Sequence, residues 1–572
     1  MKNFFGTQKI ISVYTSEKPL FLNILFFIQS LLEIFTILII FFLLNQILNV
    51  QESSFFVEYI NKKNSIYFLS LVTIIFLIIS FLLNIIINFK IINFGYKIYV
   101  DIVSNLFKKF IKTDYINISS YTYSEVSSKI LNETRRVCEF VIIPYYLIIS
   151  KSIVLFFVLL GLIIYKPFNT LIILLCVIIL FSIFYFFTRS KIEKHGKLIS
   201  HFDKEILSSM SNTFYGFKEI KLSNLTDVNL KQFIASQLKM SDLFREIKFI
   251  SNTARYGIEF FVFLFFIFSI IILNFHDNLN EKAFSLMGFY LFVIVKMLPY
   301  VNVVYLNLSF WKSHIESFKR IEDFKNNLLP INKIDNNNHK IDNEINFSGI
   351  SVIKLKKFQF FYPGDKKNKF YIKDIELKPK IVVGINGASG SGKTTFLDLL
   401  SGLIIHNEKS GLYINNVKIN YGNRSDYFNK ISYVQQKVFL VQDTIRNNII
   451  LNLKFDEILF DKAIKAAKAD IFLFDKKYRS SRIEKKISFG RENLSGGQIQ
   501  RIGIARAIYK NPEILILDEA INALDNKIKI KVLENILNYP SIKYIFISTH
   551  DNSIFKYCDK IIKIENREIY LQ

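Results

Sequence analysis

Six long apolar stretches in the first 306 residues most limit what this chain can fold into. They lie at about residues 20–45, 65–89, 139–165, 168–187, 257–275 and 284–306. Each has about 20 residues or more, enough for a helix to span the roughly 30 Å hydrocarbon layer of a bilayer. A buried core helix explains one such stretch but not six, and in lipid only helices satisfy their own backbone polar groups as separate spans. The sequence therefore predicts a membrane domain of six transmembrane helices over residues 1–324, with the first span retained as a signal anchor.

The loops between these stretches differ in their content of Lys and Arg. Residues 90–138 carry eight and residues 188–256 carry twelve, whereas the other three loops carry two, one and one. Because Lys and Arg stay on the cytoplasmic side of a membrane, both long loops and both termini are expected in the cytoplasm. The net charge of +25 then belongs mostly to a solvated face beside anionic lipid, and nucleic acid is not an expected partner.

A glycine-rich loop at 387–395 reads Gly-Ala-Ser-Gly-Ser-Gly-Lys-Thr-Thr. It fits the pattern G-x-x-x-x-G-K-[ST], in which backbone N–H groups close around phosphate oxygens. Lys393 can reach the β- and γ-phosphates, and the Thr394 hydroxyl can bind Mg²⁺. The apolar runs 381–383 and 396–400 predict a strand before this loop and, after it, a helix whose N-terminus faces the anion.

Two further apolar runs end in polar side chains. Residues 514–517 precede Asp518 and Glu519, and residues 544–547 lead to His550. Short apolar runs are typical of buried parallel strands, and ligands bind at the carboxyl ends of such strands. Taken alone, the acidic pair is equally consistent with a helix N-terminus, and the histidine with a turn. Behind a phosphate loop, the pattern predicts that Asp518 holds Mg²⁺, that Glu519 polarises water and that His550 reaches the γ-phosphate.

Residues 347–572 resemble the nucleotide-binding domain of an ABC transporter, an α/β P-loop ATPase. Its motifs occur here in the family's order: an aromatic at Tyr362, the phosphate loop, Gln436, the signature Leu-Ser-Gly-Gly-Gln at 494–498, and then the acidic pair and the histidine. The resemblance implies ATP and Mg²⁺ as cofactors. The nucleotide-binding residues that it implies are Tyr362, Gly387, Ala388, Ser389, Gly390, Ser391, Gly392, Lys393, Thr394, Thr395, Ser495, Gly497 and Gln498.

The same resemblance assigns catalytic and metal-binding roles. Glu519 corresponds to the catalytic base, His550 to the switch histidine, and Gln436 to the glutamine that senses Mg²⁺ and the membrane domain. Thr394, Gln436 and Asp518 correspond to the Mg²⁺ site. These roles imply an ATP hydrolase coupled to transport.

Three positions depart from the family pattern. Asn522 stands where serine is usual, residues 488–493 lack the Gly-Glu pair that usually precedes the signature, and Asp551-Asn552 replace the common Arg-Leu after the histidine. None of these changes removes a group that hydrolysis needs.

The order of the two halves resembles the exporter branch of the family, in which a membrane domain precedes the ATPase in one chain. Residues 325–346, rich in Asn, Asp and Lys, are the expected linker. The resemblance implies a homodimer in the bacterial inner membrane that works by alternating access, with a cytoplasmic ATPase domain. In it, the signature of one subunit faces the nucleotide held by the other. Each long cytoplasmic loop should carry a short transverse helix, near Tyr121–Lys129 and near Thr213–Lys221.

The sequence constrains the transported substrate less than it constrains the ATPase chemistry. The membrane half resembles flippases of lipid-linked oligosaccharides, the PglK type, through Leu31-Leu32-Glu33, Gly216 to Lys221, and Lys296 to Pro299. That resemblance implies a lipid-linked oligosaccharide or another anionic amphiphile as cargo. Peptide and multidrug export stay open, because related exporters share several of these motifs. An ATP-gated channel or sensor is a further alternative, which the presence of Glu519 disfavours.

Three charged residues fall inside the apolar stretches: Glu33, Lys151 and Lys296. A charge at mid-bilayer costs about 2.5–3.5 kcal/mol even on lenient scales, so each is a candidate for function. In one interpretation, Glu33 pairs with a lysine of another span and only fixes packing. In the other, Lys151 or Lys296 meets the anionic headgroup of the cargo. The sequence leaves both open.

Overall fold

The computed structural model describes residues 20–47, 65–119, 121–165, 167–275, 281–328, 349–361, 369–405, 411–474, 483–487 and 494–572. These residues form two compact units. The first comprises residues 1–111 and 121–328, and the second comprises residues 112–120 and 329–572. Tyr362, the stretch 488–493 and the linker from residue 329 onward lie outside the described residues.

The first unit is helical. In chain order, the helices of this half are α1 (Leu20–Ile47), α2 (Ser65–Ile111), α3 (Tyr115–Ile118), α4 (Tyr123–Ser127), α5 (Thr134–Val137), α6 (Ile143–Tyr165), α7 (Pro167–Tyr215), α8 (Phe217–Leu222), α9 (Thr226–Phe275) and α10 (Glu281–Asn327). Of these, α3 belongs to the second unit. Two π-helical turns, Ser128–Glu133 and Cys138–Ile142, flank α5.

Among the described residues, four helical segments are long and apolar enough to cross a membrane, and each overlaps one of the six predicted spans. The other two predicted spans, 168–187 and 257–275, fall within α7 and α9, where many side chains lie outside the described residues. The six spans and their bounds stay predictions. The four segments are Leu20–Leu44, Ile66–Ile111, Tyr123–Ile164 and Gly288–Asn327.

Helices α7 and α10 approach each other closely at Gly196. A Cβ atom built on Gly196 would lie 1.8 Å from the carbonyl oxygen of Ser313. Real side chains cannot approach a backbone oxygen so closely, so only glycine allows the two helices to pack here. The contact fixes the crossing point of two long helices in the first unit.

The second unit is α/β. Its strands are β1 (Ile353–Lys356), β2 (Phe358–Phe360), β3 (Phe370–Ile372), β4 (Ile375–Leu377), β5 (Ile381–Gly387), β6 (Gly411–Ile414), β7 (Val417–Lys418), β8 (Ile431–Val434), β9 (Ile514–Asp518), β10 (Tyr544–Ser548), β11 (Lys560–Glu565) and β12 (Glu568–Leu571). Its helices, after α3, are α11 (Lys393–Leu400), α12 (Arg424–Lys430), α13 (Ile445–Ile450), α14 (Glu457–Ala466), α15 (Asp470–Leu473), α16 (Gly496–Tyr509), α17 (Asn526–Leu537) and α18 (Asn552–Phe555).

The main sheet of this unit has eight strands in the order β2-β3-β12-β11-β5-β10-β9-β8, and a smaller antiparallel sheet has the order β4-β1-β6-β7. Strand β10 is parallel to β5 and β9 and pairs Ser548 with Ile385 and with Asp518. The carboxyl ends of these three strands therefore meet at one edge of the sheet, as the apolar runs predicted. This edge carries the phosphate loop and the acidic pair.

Strand β9 shows why the sheet is buried on both faces. All five of its residues are buried. Leu515 and Leu517 pack into one apolar layer, whereas Ile514 and Ile516 pack into the layer on the opposite face. Because alternate side chains of a strand point to opposite faces, an unbroken apolar run is what a strand covered on both sides requires.

Candidate active site

The phosphate loop connects β5 to α11. Residues 388–390 are exposed, and Gly390 and Gly392 have φ angles of 75° and 107°. These left-handed angles favour glycine, and at Gly392 a Cβ atom would also lie 2.3 Å from the Phe370 ring. The loop thus turns sharply and leads directly into the N-terminus of a helix, where backbone N–H groups favour an anion.

Lys393 is the first residue of α11, and its side chain is 7% exposed. Its ammonium group donates to the carbonyl oxygens of Gly387 at 2.9 Å and Ala388 at 3.3 Å. Burial lowers the pKa of Lys393, while the nearby carboxylates of Glu519 and Asp518 act in the opposite direction. A cation is therefore held inside the loop, at the place where a phosphate group would bind.

Glu519 follows the end of β9 with a φ angle of 51°, an uncommon and strained value for a residue other than glycine. Its backbone N–H donates to the carbonyl oxygen of Ser548 at 3.0 Å, which anchors this turn to β10. One carboxylate oxygen accepts a 2.8 Å hydrogen bond from the Gln436 amide, and the other lies 3.1 Å from Nε2 of His550. The three predicted catalytic side chains, Glu519, His550 and Gln436, thus lie together.

His550 connects Glu519 to the phosphate loop. Its Nε2 atom is 3.1 Å from the Lys393 ammonium and 3.1 Å from the Glu519 carboxylate. A neutral ring with a bare Nε2 accepts from Lys393, whereas a protonated Nε2 donates to Glu519, so the ring cannot serve both partners in one tautomer. That this ring reaches the γ-phosphate stays a prediction.

The residues predicted to bind Mg²⁺ offer oxygen ligands. The Thr394 hydroxyl donates to Oδ2 of Asp518 at 3.1 Å, and Gln436 adds an amide oxygen at the same sheet edge. Mg²⁺ is a hard cation that is usually held by one or two carboxylates, phosphate oxygens and water. No cluster of three or more His, Cys, Asp or Glu side chains that could hold a metal occurs among the described residues. The site therefore fits Mg²⁺ bound together with a phosphate, rather than a metal held by protein alone.

Two residues at this edge were not predicted from the sequence, Tyr433 and Asp398. The Tyr433 hydroxyl donates to Oδ2 of Asp518 at 3.2 Å, and the Asp398 carboxyl, which is 5% exposed, is close enough to interact with both groups. Burial, and then the Asp518 carboxylate, raise the pKa of Asp398 to about 6. Asp398 follows Thr394 by four residues, the spacing that puts two side chains on one helix face. This spacing is the sequence signal that could have located Asp398 beside Thr394.

The signature residues form the start of α16. Ser495 caps this helix in a capping box with Gln498, in which each side chain accepts from the other residue's backbone N–H. A Cβ atom on Gly497 would lie 3.1 Å from the carbonyl oxygen of Ala523. Within the described residues, no hydrogen bond joins Ser495, Gly497 or Gln498 to the phosphate loop of the same chain. Their facing a nucleotide held by a second subunit stays a prediction.

Residues 112–119 belong to the second unit and pack on its α/β part. Asp114 accepts hydrogen bonds from Tyr421 at 2.8 Å and from Arg424 at 3.2 Å, and Ile116 packs against the apolar layer beneath the sheet. The sequence placed this transverse helix at Tyr121–Lys129, which is wrong. Helix α3 lies earlier, and Thr122 starts the next helix with a capping box. A short helix, α8, lies at the second predicted position, near Thr213–Lys221. That it meets an ATPase domain stays a prediction.

Two of the three intramembrane charges form an ion pair. Nζ of Lys296 lies 2.8 Å from Oε2 of Glu33, which is 1% exposed. The other carboxylate oxygen accepts from the Ser80 hydroxyl at 2.6 Å and from the Tyr300 hydroxyl at 2.7 Å. The ion pair supports the interpretation in which Glu33 pairs with a lysine of another span, and Lys296 is that lysine.

Lys151 adds a second positive charge to this group. It is 4% exposed, donates to Asn84 at 2.8 Å and lies 5.1 Å from the centre of the Tyr300 ring. Asn84 also accepts from Gln29 at 2.6 Å. Two lysines and one glutamate leave one positive charge in excess among the described side chains of this cluster.

Comparisons with known proteins agree with the family resemblance. Residues 373–522 match the family model described as ABC transporter. The chain is 30% identical over 394 residues, 65% of each chain, to the multidrug resistance-like ATP-binding protein MdlA of Buchnera aphidicola. It is 33% identical over 219 residues to an ATP-dependent lipid A-core flippase of Wigglesworthia glossinidia brevipalpis, covering 38% of this chain and 37% of that one. The chain thus spans 65% or less of the length of both relatives.

A solved structure resembles the whole chain. It is a bacterial Atm1-family ABC exporter with ATP bound, with a TM-score of 0.77, 16% identity, and coverage of 97% of this chain and 95% of the other. At this identity the likeness establishes the fold. The predicted fold, a helical membrane domain followed by an α/β P-loop ATPase domain, is confirmed.

Proposed function

We propose that this chain, which belongs to the ABC transporter family and joins an exporter-type membrane domain to an ATPase domain, hydrolyses ATP to drive export across a membrane. The observation that carries this proposal is the contact of Glu519 with both Gln436 and His550 beside Lys393. This arrangement brings three groups together: Glu519 as the base, His550 to contact the γ-phosphate, and Lys393 as the cation. A channel or sensor that only binds ATP does not need a base there.

Each side chain has a defined part in hydrolysis. Lys393 and the loop N–H groups bind the phosphates, and Thr394 and Asp518 hold Mg²⁺, with Gln436 nearby. Mg²⁺, when bound, neutralises charge on the transferred phosphoryl group. Glu519 orients water for in-line attack, and His550 holds the γ-phosphate. Little covalent chemistry is required of the protein, because positioning and charge stabilisation provide most of the rate.

The working unit that we propose is a homodimer. The capped N-terminus of α16 exposes Ser495, so the signature is available to a nucleotide held by a second copy. An isologous dimer of this kind has two equivalent sites. Closing such a dimer from 1:99 to 99:1 requires about 5.5 kcal/mol of differential binding, which charge-assisted contacts to two ATP molecules can provide. Closure and reopening would alternate the access of a cavity between the two membrane sides.

We place the protein in the bacterial inner membrane, in contact with its lipids, with the ATPase domain in the cytoplasm. The two Lys- and Arg-rich loops support this orientation. The charge of residues 90–138 and 188–256 would then face anionic lipid headgroups at the cytoplasmic surface.

The cargo that we propose is a lipid-linked oligosaccharide or another anionic amphiphile. The excess positive charge at Lys151 and Lys296 supports an anionic group, because a buried cation gains most from a counter-ion where water is scarce. Because Glu33 neutralises one of the two lysines, the excess is one positive charge. Multidrug export is the second candidate, which the similarity to MdlA favours.

A transport assay separates these cargos. Purified protein reconstituted in liposomes is given ATP with polyprenyl-pyrophosphate sugars or with hydrophobic cations, and both translocation and ATPase stimulation are measured. We expect the anionic amphiphiles to move and to stimulate hydrolysis. Movement of hydrophobic cations alone would establish the multidrug function instead, and hydrolysis without movement of any substrate would contradict export.

A further inference from the structure

Strand register places Tyr433 beside the Mg²⁺ ligand Asp518. Strands β8 and β9 are parallel, and Tyr433 pairs with Ile516. Ile516 and Asp518 lie on the same face of β9, because side chains alternate between faces. The long Tyr433 side chain therefore reaches along the sheet to the Asp518 carboxylate, and its hydroxyl ends 3.2 Å from Oδ2.

One oxygen of Asp518 receives two hydroxyl donors. Oδ2 accepts from Thr394 at 3.1 Å and from Tyr433 at 3.2 Å. Thr394 is itself expected to bind the metal through a lone pair of its hydroxyl oxygen, and its O–H can still donate to Asp518. Tyr433 adds a second donor to this carboxylate, and its own hydroxyl has no expected role as a metal ligand.

We propose that Tyr433 is a positioning residue for the metal, because its hydroxyl fixes the orientation in which the Asp518 carboxylate meets Mg²⁺. The proposal rests on the ATPase function proposed above. Mg²⁺ demands near-ideal octahedral geometry, so a rotated ligand weakens its binding. Partners that orient a metal ligand typically change metal affinity by about 10- to 100-fold when they are removed.

The test is the variant Tyr433→Phe in the full-length protein in nanodiscs. We measure the Mg²⁺ concentration that gives half-maximal ATPase activity. We also measure ATP affinity with Mg²⁺ and with EDTA, in a Glu519→Gln background that prevents turnover. We expect the half-maximal Mg²⁺ concentration to rise by about tenfold. ATP affinity should fall in Mg²⁺ and stay unchanged in EDTA.

Tyr427→Phe is the matched control. Tyr427 is fully buried in the same apolar layer, and its hydroxyl donates to the Leu400 carbonyl at 2.8 Å, so the variant also loses one buried hydroxyl. It should leave Mg²⁺ dependence unchanged.

Three outcomes overturn the proposal. The first is an unchanged Mg²⁺ dependence in Tyr433→Phe. The second is an equal loss of ATP affinity in Mg²⁺ and in EDTA, which indicates a general packing role. The third is an equal effect of Tyr427→Phe. If the wild-type protein binds Mg²⁺–ATP without hydrolysing it, the proposed ATPase function fails, but the comparison of affinities still decides the role of Tyr433.

Discussion

The side-chain amide of Gln436 donates a 2.8 Å hydrogen bond to the carboxylate of Glu519. Gln436 follows β8 and Glu519 follows β9, and these strands are neighbours in the sheet. With His550 at the other carboxylate oxygen, both oxygens of Glu519, the proposed base, have partners. Each carboxylate oxygen has two lone pairs, so a water molecule can still donate a hydrogen bond to Glu519 while Gln436 and His550 hold the carboxylate in place.

Replacing the base tests this assignment. We expect Glu519→Gln to lower the ATPase rate by about 10²–10⁴-fold, the range that a positioned acid or base contributes. ATP binding should survive, because Lys393 and the loop N–H groups remain. The rate is measured as phosphate release and the binding as equilibrium affinity. Glu534→Gln makes the same change at an exposed carboxylate of α17 and should have no effect. A Glu519→Gln protein that hydrolyses ATP at the wild-type rate would show that another group acts as base.

Local sequence predicts the elements at this edge of the sheet better than it predicts their partners. The loop before Lys393 and the strand before Asp518 are each specified by a short run of residues, so both could be predicted. Tyr433 meets Asp518 only through the register of two strands that are far apart in sequence. Nothing local to Tyr433 indicates that contact.

The same limit applies in the membrane half. Glu33 and Lys296 are 263 residues apart, and sequence alone offered two interpretations that only helix packing could separate. The first transverse helix was misplaced because Thr122 begins a strong helix signal just after it, whereas the real one has only four residues and is capped by Asp114.

Mixed dimers test the predicted assembly. Lys393→Ala should disable the phosphate loop, and Ser495→Arg should disable the signature. In a homodimer with shared sites, a mixture of the two variant chains pairs one intact loop with one intact signature. We therefore expect two inactive variants to regain part of the ATPase activity when they are co-expressed, and mass measurement in nanodiscs to show a dimer.

A second mixture serves as the control for this assembly. Lys393→Ala and Glu519→Gln place the loop defect in one site and the base defect in the other, so neither site is whole and no activity should return. Activity in both mixtures, or in neither, contradicts sites shared between two copies. A fully active monomer contradicts the dimer itself.

The pair of Glu33 and Lys296 predicts a specific pattern of stability. Lys296→Met removes the cation 2.8 Å from a carboxylate that is 1% exposed, and breaking a buried ion pair from one side typically costs about 3–5 kcal/mol. We expect a lower melting temperature of the detergent-solubilised protein, and recovery in the double variant Glu33→Gln/Lys296→Met. Transport should fall in Lys296→Met, while basal ATPase activity stays near wild type. No recovery in the double variant would mean that Lys296 does not act through Glu33.

The close approach at Gly196 makes a sharp prediction for packing. A methyl group there would lie 1.8 Å from the Ser313 carbonyl oxygen, so α7 and α10 must move apart. Overpacking usually costs about 1–3 kcal/mol, and backbone cannot yield as a side chain can. We expect Gly196→Ala to lower the melting temperature or the yield of folded protein. Gly288→Ala is the control, because a Cβ atom on Gly288 meets nothing within 4 Å. Equal stability of the two variants would contradict the packing described.

Glu513 links three parts of the ATPase unit and gives a prediction with a defined pH range. Its carboxylate accepts from the Ile350 N–H at 2.7 Å and from Lys543 at 2.9 Å, and it lies 3.1 Å from Lys430. Burial raises the pKa of Glu513, but these hydrogen bonds outweigh burial and hold the pKa below its usual value. A lowered pKa means that the ionised group stabilises the fold at neutral pH. That contribution is lost as pH falls through the folded-state pKa.

We therefore expect Glu513→Gln to destabilise the protein at pH 7 by about 1–3 kcal/mol, the usual value of hydrogen bonds to a charged group. Melting temperatures of the full-length variant and the wild type are compared from pH 7 downward. The difference should stay constant to about pH 5 and shrink below the unfolded-state pKa of about 4.3, where the carboxyl groups of the wild type become protonated. Glu534→Gln at the exposed site should show no difference at either pH. If the melting temperature of Glu513→Gln stayed equally far below that of the wild type at low pH, the charge of Glu513 would not be what holds these three segments together.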